Sequence, residues 1–246
     1  MTGAGSRIGR AIALDLASAG WAVAVHYNKS ADGAAEVVET ISADGGKATA
    51  LQADLGNEEE VADLVATATG ALGAITCLVN NASRFDNDTV ATTTRESWDR
   101  HLEVNLRAPF VLSQSLAATL PTDRTGAIIN LIDQRVWNLT PHFVSYTISK
   151  AGLWTLTRTL ALALAPRIRV NGIGPGPTLP SARQSEDQFA AQVAQTPLAR
   201  SVAVSEICAA VRFILDAPSL TGQMIALDSG QHLGWQNSND PAEPDE

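Results

Sequence analysis

The sequence predicts an α/β fold of the doubly wound type, in which helices cover both faces of a parallel sheet. From Trp21 onward, short β-rich runs alternate with amphipathic stretches, which is typical of repeated strand–helix units. A glycine-rich turn at the start of the chain leads into a helix, as expected for the first such unit. The 246 residues, 45% of them hydrophobic, suffice for a well-packed domain.

The strands and helices follow from this alternation. The predicted strands are the β-rich runs at 22–26, 47–52, 75–79, 127–131, 168–171 and 224–227. The predicted helices are the amphipathic stretches at 7–19, 33–43, 58–72, 96–120, 143–165 and 205–216. Capping residues precede two of them, Asn57 and Thr94. Segment 174–193 is rich in Pro, Gly and polar residues, so we expect a long loop with a short helix that acts as a lid.

Both ends of the sequence depart from this pattern. The chain opens directly at the glycine-rich turn, without the central strand that a doubly wound sheet needs there. Either the start is truncated or the sheet is built without that strand, so the first strand is predicted to be missing or truncated. Residues 237–246 hold four acidic residues and no large apolar side chain, which predicts a flexible tail after a domain at 1–236.

Charge and composition exclude several classes of function. The net charge of −9 repels phosphate backbones, so we expect no nucleic-acid partner. No apolar run approaches the roughly 20 residues of a membrane span, and the N-terminus lacks a leader pattern, so we expect a cytoplasmic protein without membrane contact. Cys77 and Cys208 lie in apolar contexts without metal-ligand spacing, which predicts buried, reduced thiols and no metal site.

The opening run TGAGSRIG is a candidate phosphate site. Gly3, Gly5 and Gly9 surround a tight turn, and glycines there let the backbone approach a pyrophosphate. The free amides and the dipole at the start of the following helix would stabilise that anion. A glycine-rich turn without any ligand is the alternative, because such turns are common before helices.

Tyr146 and Lys150 form the second candidate motif. They lie four residues apart on a predicted helix, so their side chains share one face. A nearby ammonium lowers the pKa of a phenol by favouring the phenolate, which makes tyrosine a usable acid or base at neutral pH. A surface Tyr and Lys on an amphipathic helix is the alternative for an isolated pair.

These motifs occur together with others and resemble the short-chain dehydrogenase/reductase family, which has a Rossmann-type fold. TGAGSRIG resembles the cofactor turn of the family, ADL at 53–55 its adenine-side acid, and NNAS at 80–83 the segment after its fourth strand. Tyr146, Lys150 and Asn105 in EVNLRAP match three of its four catalytic positions, and PGP at 175–177 resembles the stretch that meets the nicotinamide. The resemblance covers nearly the whole chain.

The resemblance implies a set of cofactor-binding positions. Besides Tyr146 and Lys150, they are Gly3, Ser6, Arg7, Ile8, Gly9, His26, Tyr27, Asn28, Lys29, Ser30, Asp54, Leu55, Asn81, Ala82, Ser83, Pro175, Gly176 and Thr178. It also implies that Lys150 binds the nicotinamide ribose, and that Asn105 holds the active-site helix and a relay water.

Three departures from the usual family pattern resemble its pteridine reductase branch, including the dihydromonapterin reductases. Asp133 stands where the family usually has serine, Arg7 replaces the middle glycine of the turn, and the second strand ends in HYNKS without an acid. Phe85 matches the aromatic residue that stacks on the pterin in that branch. The implied substrate positions are Phe85, Arg7 and Ser83.

The residues at the nucleotide end favour NADPH over NADH. A carboxylate at the end of the second strand would repel a 2′-phosphate, whereas Arg7 and Lys29, with Asn28 and Ser30 as donors, suit that phosphate. His26 ends the same strand, so we expect it to face the phosphate as well. A solvated loop charge is the alternative for Lys29.

Asp133 has two interpretations. As a loop aspartate it can cap the backbone that follows, and as a catalytic residue it can donate or relay a proton if burial raises its pKa toward neutrality. We favour catalysis, because the position is that of the family's serine. An acid paired with Tyr146 suits reduction of a C=N bond in a heterocycle, where a ring nitrogen must receive a proton.

The predicted function is therefore an NADPH-dependent reduction of a pteridine-type C=N bond. The alternatives are a carbonyl reductase acting on a 3-ketoacyl thioester or another ketone, and a non-catalytic NADP-binding sensor. Trp137 and Trp235 are candidates for the substrate wall, with ordinary packing as the alternative. The resemblance also implies a homotetramer assembled through the helices at 96–120 and 143–165.

Overall fold

Six short parallel strands form the frame of the computed structural model, which describes residues 1–181 and 183–234. The strands are β1 (Val23–Tyr27), β2 (Ala48–Gln52), β3 (Cys77–Asn80), β4 (Gly126–Leu131), β5 (Ile168–Pro175) and β6 (Met224–Leu227). All six predicted strands are confirmed, although β5 runs four residues further than predicted. The predicted tail at 237–246 lies outside the described residues.

The strands pair in two groups. β1 pairs with β2, while β3, β4, β5 and β6 pair in that order, and every pairing is parallel. Residues 1–4 lie between β1 and β3: Ala4 N donates to the His26 carbonyl at 2.9 Å, and Thr2 N donates to the Val79 carbonyl at 3.0 Å. Residues 1–4 are not a regular strand, but their backbone bonds join the two groups.

The helices confirm the predicted pattern apart from one long segment. They are α1 (Arg7–Ser18), α2 (Ala31–Ala43), α3 (Glu58–Leu72), α4 (Arg95–Leu102), α5 (Ala108–Thr119), α6 (Val144–Leu164), α7 (Glu186–Ala194) and α8 (Val204–Asp216). Asn57 and Thr94 cap α3 and α4 through their side chains, as predicted. The short helix expected in the lid segment is α7.

The predicted helix at 96–120 is wrong in one respect, because it is interrupted by a π-helical turn. This turn, Glu103–Arg107, separates α4 from α5. Pro109 stands at the start of α5 and lacks the N–H that would bond to the carbonyl four residues earlier, at Asn105. The turn therefore widens where Asn105 projects from the helix, and such π-turns are frequent at functional sites.

The core lies in two layers on opposite faces of the strands. One contains Ile12 and Val37 from α1 and α2, together with Ile207 and other apolar residues of α8. The other contains Leu64 of α3, Leu116 of α5 and neighbouring apolar residues of α6. This three-layer arrangement confirms the doubly wound fold class.

The two cysteines and the helix lengths bear on the predictions from composition. Cys208 is buried, and Cys77 is only partly buried, contrary to the prediction that both are buried. Loss of solvation raises the pKa of both thiols to about 11, so they stay protonated at neutral pH. Within residues 1–181 and 183–234, no helix is long and apolar enough to cross a membrane.

Candidate active site

A cavity of about 250 Å³ opens at the carboxyl ends of β4 and β5, where ligands bind in open α/β sheets. Segments from both ends of the chain and the lid enclose it. Nine predicted cofactor residues line it: Arg7, Ile8, Asn81, Ser83, Tyr146, Lys150, Pro175, Gly176 and Thr178. Phe85 and Asp133 line it as well, so residues distant in sequence meet at one place.

Tyr146 and Asp133 form the polar floor of this cavity. Tyr146 Oη donates a hydrogen bond to Asp133 Oδ2 at 2.7 Å. Tyr146 is only 5% exposed, so the phenol is held in one orientation by α6 and the residues around it. A phenol and a carboxyl group in direct contact can together hold and relay a proton at one position in the cavity.

Lys150 lies one helical turn beyond Tyr146, on the same face of α6. Its Nζ donates to the Leu131 carbonyl at 2.8 Å and lies 5.8 Å from the centre of the Tyr146 ring. Burial lowers the pKa of Lys150 to about 8, with the charge of Asp133 acting in the opposite direction. The ammonium is therefore close enough to favour the phenolate, as the spacing of the motif predicts.

The Asp133 side chain both caps the backbone that follows it and contacts Tyr146. One oxygen, Oδ1, accepts from the Arg135 backbone N–H at 2.8 Å and caps the short 3-10 helix Gln134–Val136. The other oxygen, Oδ2, accepts the bond from Tyr146. The cap fixes the carboxyl group, so the same side chain is positioned by its own backbone and presented to the phenol.

Asn105 connects the cavity wall to α6 and is completely buried. Its Oδ1 accepts from the Arg84 N–H at 2.7 Å, and its Nδ2 donates to the Arg84 carbonyl and to Ser149 Oγ, both at 2.9 Å. It does not line the cavity. Asn105 therefore links α6 to the segment that carries Ser83 and Phe85.

Aromatic rings define one wall of the cavity. The Phe85 ring stacks on Phe143 with centroids 4.7 Å apart, and it meets the Tyr146 ring edge-on at the same distance. Phe143 is completely buried and adopts a left-handed backbone conformation (φ 57°) just before α6. Phe85 is thereby fixed beside the phenol, which suits the stacking of a planar ring.

The glycine-rich turn is shaped by very close backbone contacts. A Cβ on Gly9 would lie 2.0 Å from the Gly3 carbonyl oxygen, so only glycine fits this position. Asn81 Nδ2 donates to the Thr2 and Gly3 carbonyls at 3.0 and 3.1 Å, which ties the turn to β3. Ser6 precedes α1 and makes no side-chain cap, so the first amides of this helix are not covered by it.

The loop after β1 lies beside this turn. A Cβ on Gly33 would lie 2.3 Å from the Gly5 carbonyl oxygen, so α2 packs directly against the turn. Asn28 Nδ2 donates to Asp54 Oδ1 at 3.1 Å, and Asn28, Lys29 and Ser30 are all exposed. No carboxylate stands on β1 itself, so donors and a cation are available there.

Some predicted cofactor residues lie inside the protein instead. His26 is 3% exposed: its Nδ1 accepts from the Gly3 N–H at 3.0 Å, and its Nε2 lies 3.1 Å from the Ala53 carbonyl oxygen. Burial lowers its pKa to about 4, so the ring is neutral. The expectation that His26 faces the phosphate is corrected, because both ring nitrogens hold the turn. Leu55, 6% exposed, belongs to the apolar core.

Trp137 also requires a correction. It does not line the cavity; it is 44% exposed and packs edge-on against Trp154 and His232, with centroids 6.3 and 5.3 Å away. The 3-10 helix that begins after Asp133 turns the Trp137 side chain away from the cavity. The other predicted wall residue, Trp235, lies outside the described residues.

Sequence reasoning missed most of the lid contacts. Ser181, Gln184, Phe189 and Gln192 line the cavity from this side, and Gln134, Arg135 and Gln231 line it from others. Arg7 Nη2 donates to the Leu179 carbonyl at 3.2 Å, which joins the turn to the lid. Only the Pro- and Gly-rich composition of the lid signals its role, because individual contacts depend on how the loop folds back.

A buried polar cluster beneath Phe85 was also missed. Asp86 N donates to His101 Nε2 at 3.1 Å, so the ring hydrogen is on Nδ1, which lies 2.6 Å from Ser145 Oγ. The Ser145 hydroxyl in turn donates to Asp88 Oδ2. Burial lowers the pKa of His101, which keeps this ring neutral. The cluster anchors the start of α6, one residue before Tyr146.

Titratable ligands for a metal ion do not come together in the part of the chain that the structure describes. No group of three or more His, Cys, Asp or Glu side chains has suitable geometry there. The ionisable groups that the floor of the cavity does bring together are the phenol of Tyr146, the carboxyl group of Asp133 and the ammonium of Lys150.

Comparison with known proteins covers almost the whole chain. A family model described as enoyl-(acyl carrier protein) reductase matches residues 3–232. The chain is 34% identical over 238 residues to the 3-oxoacyl-(acyl-carrier-protein) reductase FabG of Staphylococcus epidermidis, covering 95% of this chain and 98% of the relative. It is 33% identical to a 3-oxoacyl-(acyl-carrier-protein) reductase of Synechocystis, covering 94% of each protein.

Solved structures give higher identities to a different kind of reductase. FolM alternative dihydrofolate reductase 1 from Brucella canis, complexed with NADP, is 49% identical with a TM-score of 0.94, and the match covers 97% of this chain and 95% of that one. The Brucella suis protein, also with NADP, is 50% identical with the same TM-score and covers 97% and 96%.

Proposed function

The chain belongs to the short-chain dehydrogenase/reductase family of oxidoreductases, and from this membership we propose that it reduces a C=N bond of a pteridine with NADPH. The observation that carries the proposal is the 2.7 Å hydrogen bond between Tyr146 and Asp133 in the cavity beside Phe85. An acid beside the phenol suits protonation of a ring nitrogen, and the aromatic wall suits a planar heterocycle.

The residues present fit NADPH. The glycine turn leads directly into α1, whose start lacks a side-chain cap, and Lys29 with Ser30 offers a cation and a donor without a carboxylate on β1. The FolM structures, similar over 97% of this chain, contain NADP. We propose that Lys29 and Ser30 hold the 2′-phosphate, with the turn at the pyrophosphate; Arg7, predicted to bind that phosphate as well, lines the cavity and bonds to the lid instead.

The proposed mechanism divides the chemistry between cofactor and protein. NADPH supplies a hydride to the substrate when bound. Tyr146 donates its phenolic proton to a ring nitrogen, and the Asp133 carboxylate, which contacts the same oxygen, takes up a proton from solvent and passes it to the phenolate. The Lys150 ammonium stabilises the transient phenolate. Phe85 orients the substrate ring. Asn105 fixes the position of Phe85 relative to α6, because it bonds to the backbone of the preceding residue and to Ser149.

The ketone-reducing alternative has its own support, since FabG enzymes are 34% identical to the chain. A panel assay separates the two: NADPH oxidation is followed with a dihydropteridine, with dihydrofolate and with acetoacetyl thioester. We expect turnover of at least one of the first two and little turnover of the thioester. Turnover of the thioester alone would refute the pteridine proposal. Inactivity on the whole panel despite tight NADPH binding would favour a non-catalytic sensor.

The pKa of Lys150 predicts an alkaline limit to activity. Because the ammonium is needed and its pKa is about 8, kcat/KM for NADPH should fall about tenfold per pH unit above pH 8. Unfolding does not explain such a fall. The folded pKa lies below the unfolded value, so Lys150 makes the protein more stable as the pH rises from 8. Circular dichroism at pH 8 to 9 provides this control, and a profile that stays level to pH 9.5 would contradict the prediction.

Assembly and location are further proposals. We propose that the enzyme forms a homotetramer in which α6 packs against a second copy, since Ile148 and Leu162 of this helix are 47% and 84% exposed. We also propose a cytoplasmic location, where the thiols of Cys77 and Cys208 remain reduced.

A further inference from the structure

A charge cluster that the proposed mechanism does not use lies next to Phe85, which lines the cavity. It consists of Arg84, Asp86 and Arg183. Arg84 Nε and Arg183 Nη1 both donate to the Asp86 carboxylate, the second at 3.1 Å, and Arg183 Nη2 donates to the Phe85 carbonyl. The Arg183 guanidinium also lies 5.7 Å from the centre of the Phe85 ring. The cluster therefore adjoins the proposed stacking wall.

This cluster has a surplus of positive charge. Two guanidinium groups face one carboxylate, and the two arginines beside it hold the pKa of Asp86 below its usual value although burial opposes them. One net positive charge thus remains on a protein whose net charge is −9. Arg183 is also the one cation in the lid segment 174–193, which otherwise carries only Glu186 and Asp187 as charged residues.

The cluster also has a surplus of hydrogen-bond donors. A guanidinium has five N–H groups, and Arg183 uses two of them, on Asp86 and on the Phe85 carbonyl. Its side chain is 46% exposed, and that of Arg84 is 47% exposed. Donors remain available to an anion arriving from solvent, and a fork of this shape suits a carboxylate.

The size of the cavity explains how such an anion would reach the cluster. About 250 Å³ lies below the usual range for pockets that enclose a whole drug-sized ligand. A bicyclic ring bound against Phe85 would use most of this space. A long substituent on that ring would therefore extend out of the cavity, and on the side of Phe85 it would meet Arg183 and Arg84.

We propose that Arg183, assisted by Arg84, selects pteridine substrates whose side chain ends in a carboxylate, as that of dihydrofolate does, over those with a neutral polyol side chain. This inference rests on the proposed function and adds a substrate class to it. The competing interpretation is that Arg183 only latches the lid through Asp86, in which case it affects all substrates alike.

The test compares steady-state kinetics on dihydrofolate and on a dihydropteridine with a neutral polyol side chain. Arg183→Gln is expected to raise KM for dihydrofolate about fivefold, the upper range for a half-exposed charge pair. KM for the neutral substrate should change less than twofold. In the wild type, 0.5 M salt should reduce the preference for dihydrofolate over the neutral substrate, because salt screens the attraction between charges. Arg212→Gln is the matched control, because it removes an equally exposed cation paired with Asp15 on α1.

A second variant distinguishes selection from latching. Asp86→Asn removes the lid partner of Arg183 but leaves both guanidinium groups and their charge. Selection by charge predicts an unchanged or lower KM for dihydrofolate, whereas a latch predicts a higher KM for both substrates. If Arg183→Gln changes KM for both substrates equally, or changes neither, the inference about Arg183 is overturned while the proposed function stands. If the wild type reduces neither pteridine, the proposed function fails first and the inference with it.

Discussion

Replacing Tyr146 with phenylalanine is expected to lower kcat/KM for the best pteridine substrate by about a thousandfold. The ring and its packing against Phe85 are retained, but the hydroxyl that donates to Asp133 at 2.7 Å is removed. General acid catalysis of this kind contributes roughly 10²- to 10⁴-fold, and no other hydroxyl donates to Asp133 among the described residues.

The measurement pairs kinetics with cofactor binding. The dissociation constant of NADPH, from fluorescence titration, should change by less than about threefold in the Tyr146→Phe variant, because Lys150 and the glycine turn are untouched. A parallel loss of binding would indicate a disturbed site and leave the phenol's role unsupported. Retention of at least a tenth of the wild-type kcat/KM would show that the phenol is not the proton donor.

Replacing Asp133 with serine is expected to separate the two substrate classes. Pteridine reduction should fall by about a hundredfold or more, because a serine hydroxyl cannot return a proton to Tyr146 as a carboxyl group does. Reduction of an acetoacetyl thioester should not fall, since serine is the usual residue of the family and suffices to hold a ketone oxygen. The ratio of the two activities is the quantity to measure.

Asp133→Asn serves as the matched variant. Its amide oxygen can still accept from the Arg135 N–H, so the cap of the short helix is kept. We expect the asparagine variant to reduce pteridines as slowly as the serine variant. That result would attribute the lost activity to the missing carboxyl group and not to a missing helix cap. If both variants keep pteridine turnover within threefold of the wild type, Asp133 only positions the loop.

The fold was largely predictable because its signals are local. Strand and helix boundaries follow from apolar periodicity and from caps such as Thr94, which acts through adjacent backbone. The interruption at Asn105 was not predicted, since a π-turn depends on how α4 and α5 pack as well as on Pro109. Propensity alone treats that segment as one helix.

The site was predictable where side chains act through a short spacing or a known motif. Tyr146 and Lys150 share a face because they lie four residues apart, and the chain reversal after β4 brings Asp133 to them. Asp88, His101 and Ser145 were not recognised as a cluster, because they come from three separate segments and only tertiary contacts unite them. The burial of His26 was missed for the same reason.

Residues 1–4, which lie between the two groups of strands, also bear on how the stability of the protein depends on its cofactor. Backbone bonds of residues such as Thr2 and Ala4 join β1 and β2 to the remaining four strands. The two groups also share one apolar core, since Val25 of β1 and Val79 of β3 belong to the same cluster. A dinucleotide that binds across both groups of strands stabilises the folded state, so we expect the melting temperature of the protein to rise strongly with the concentration of NADPH.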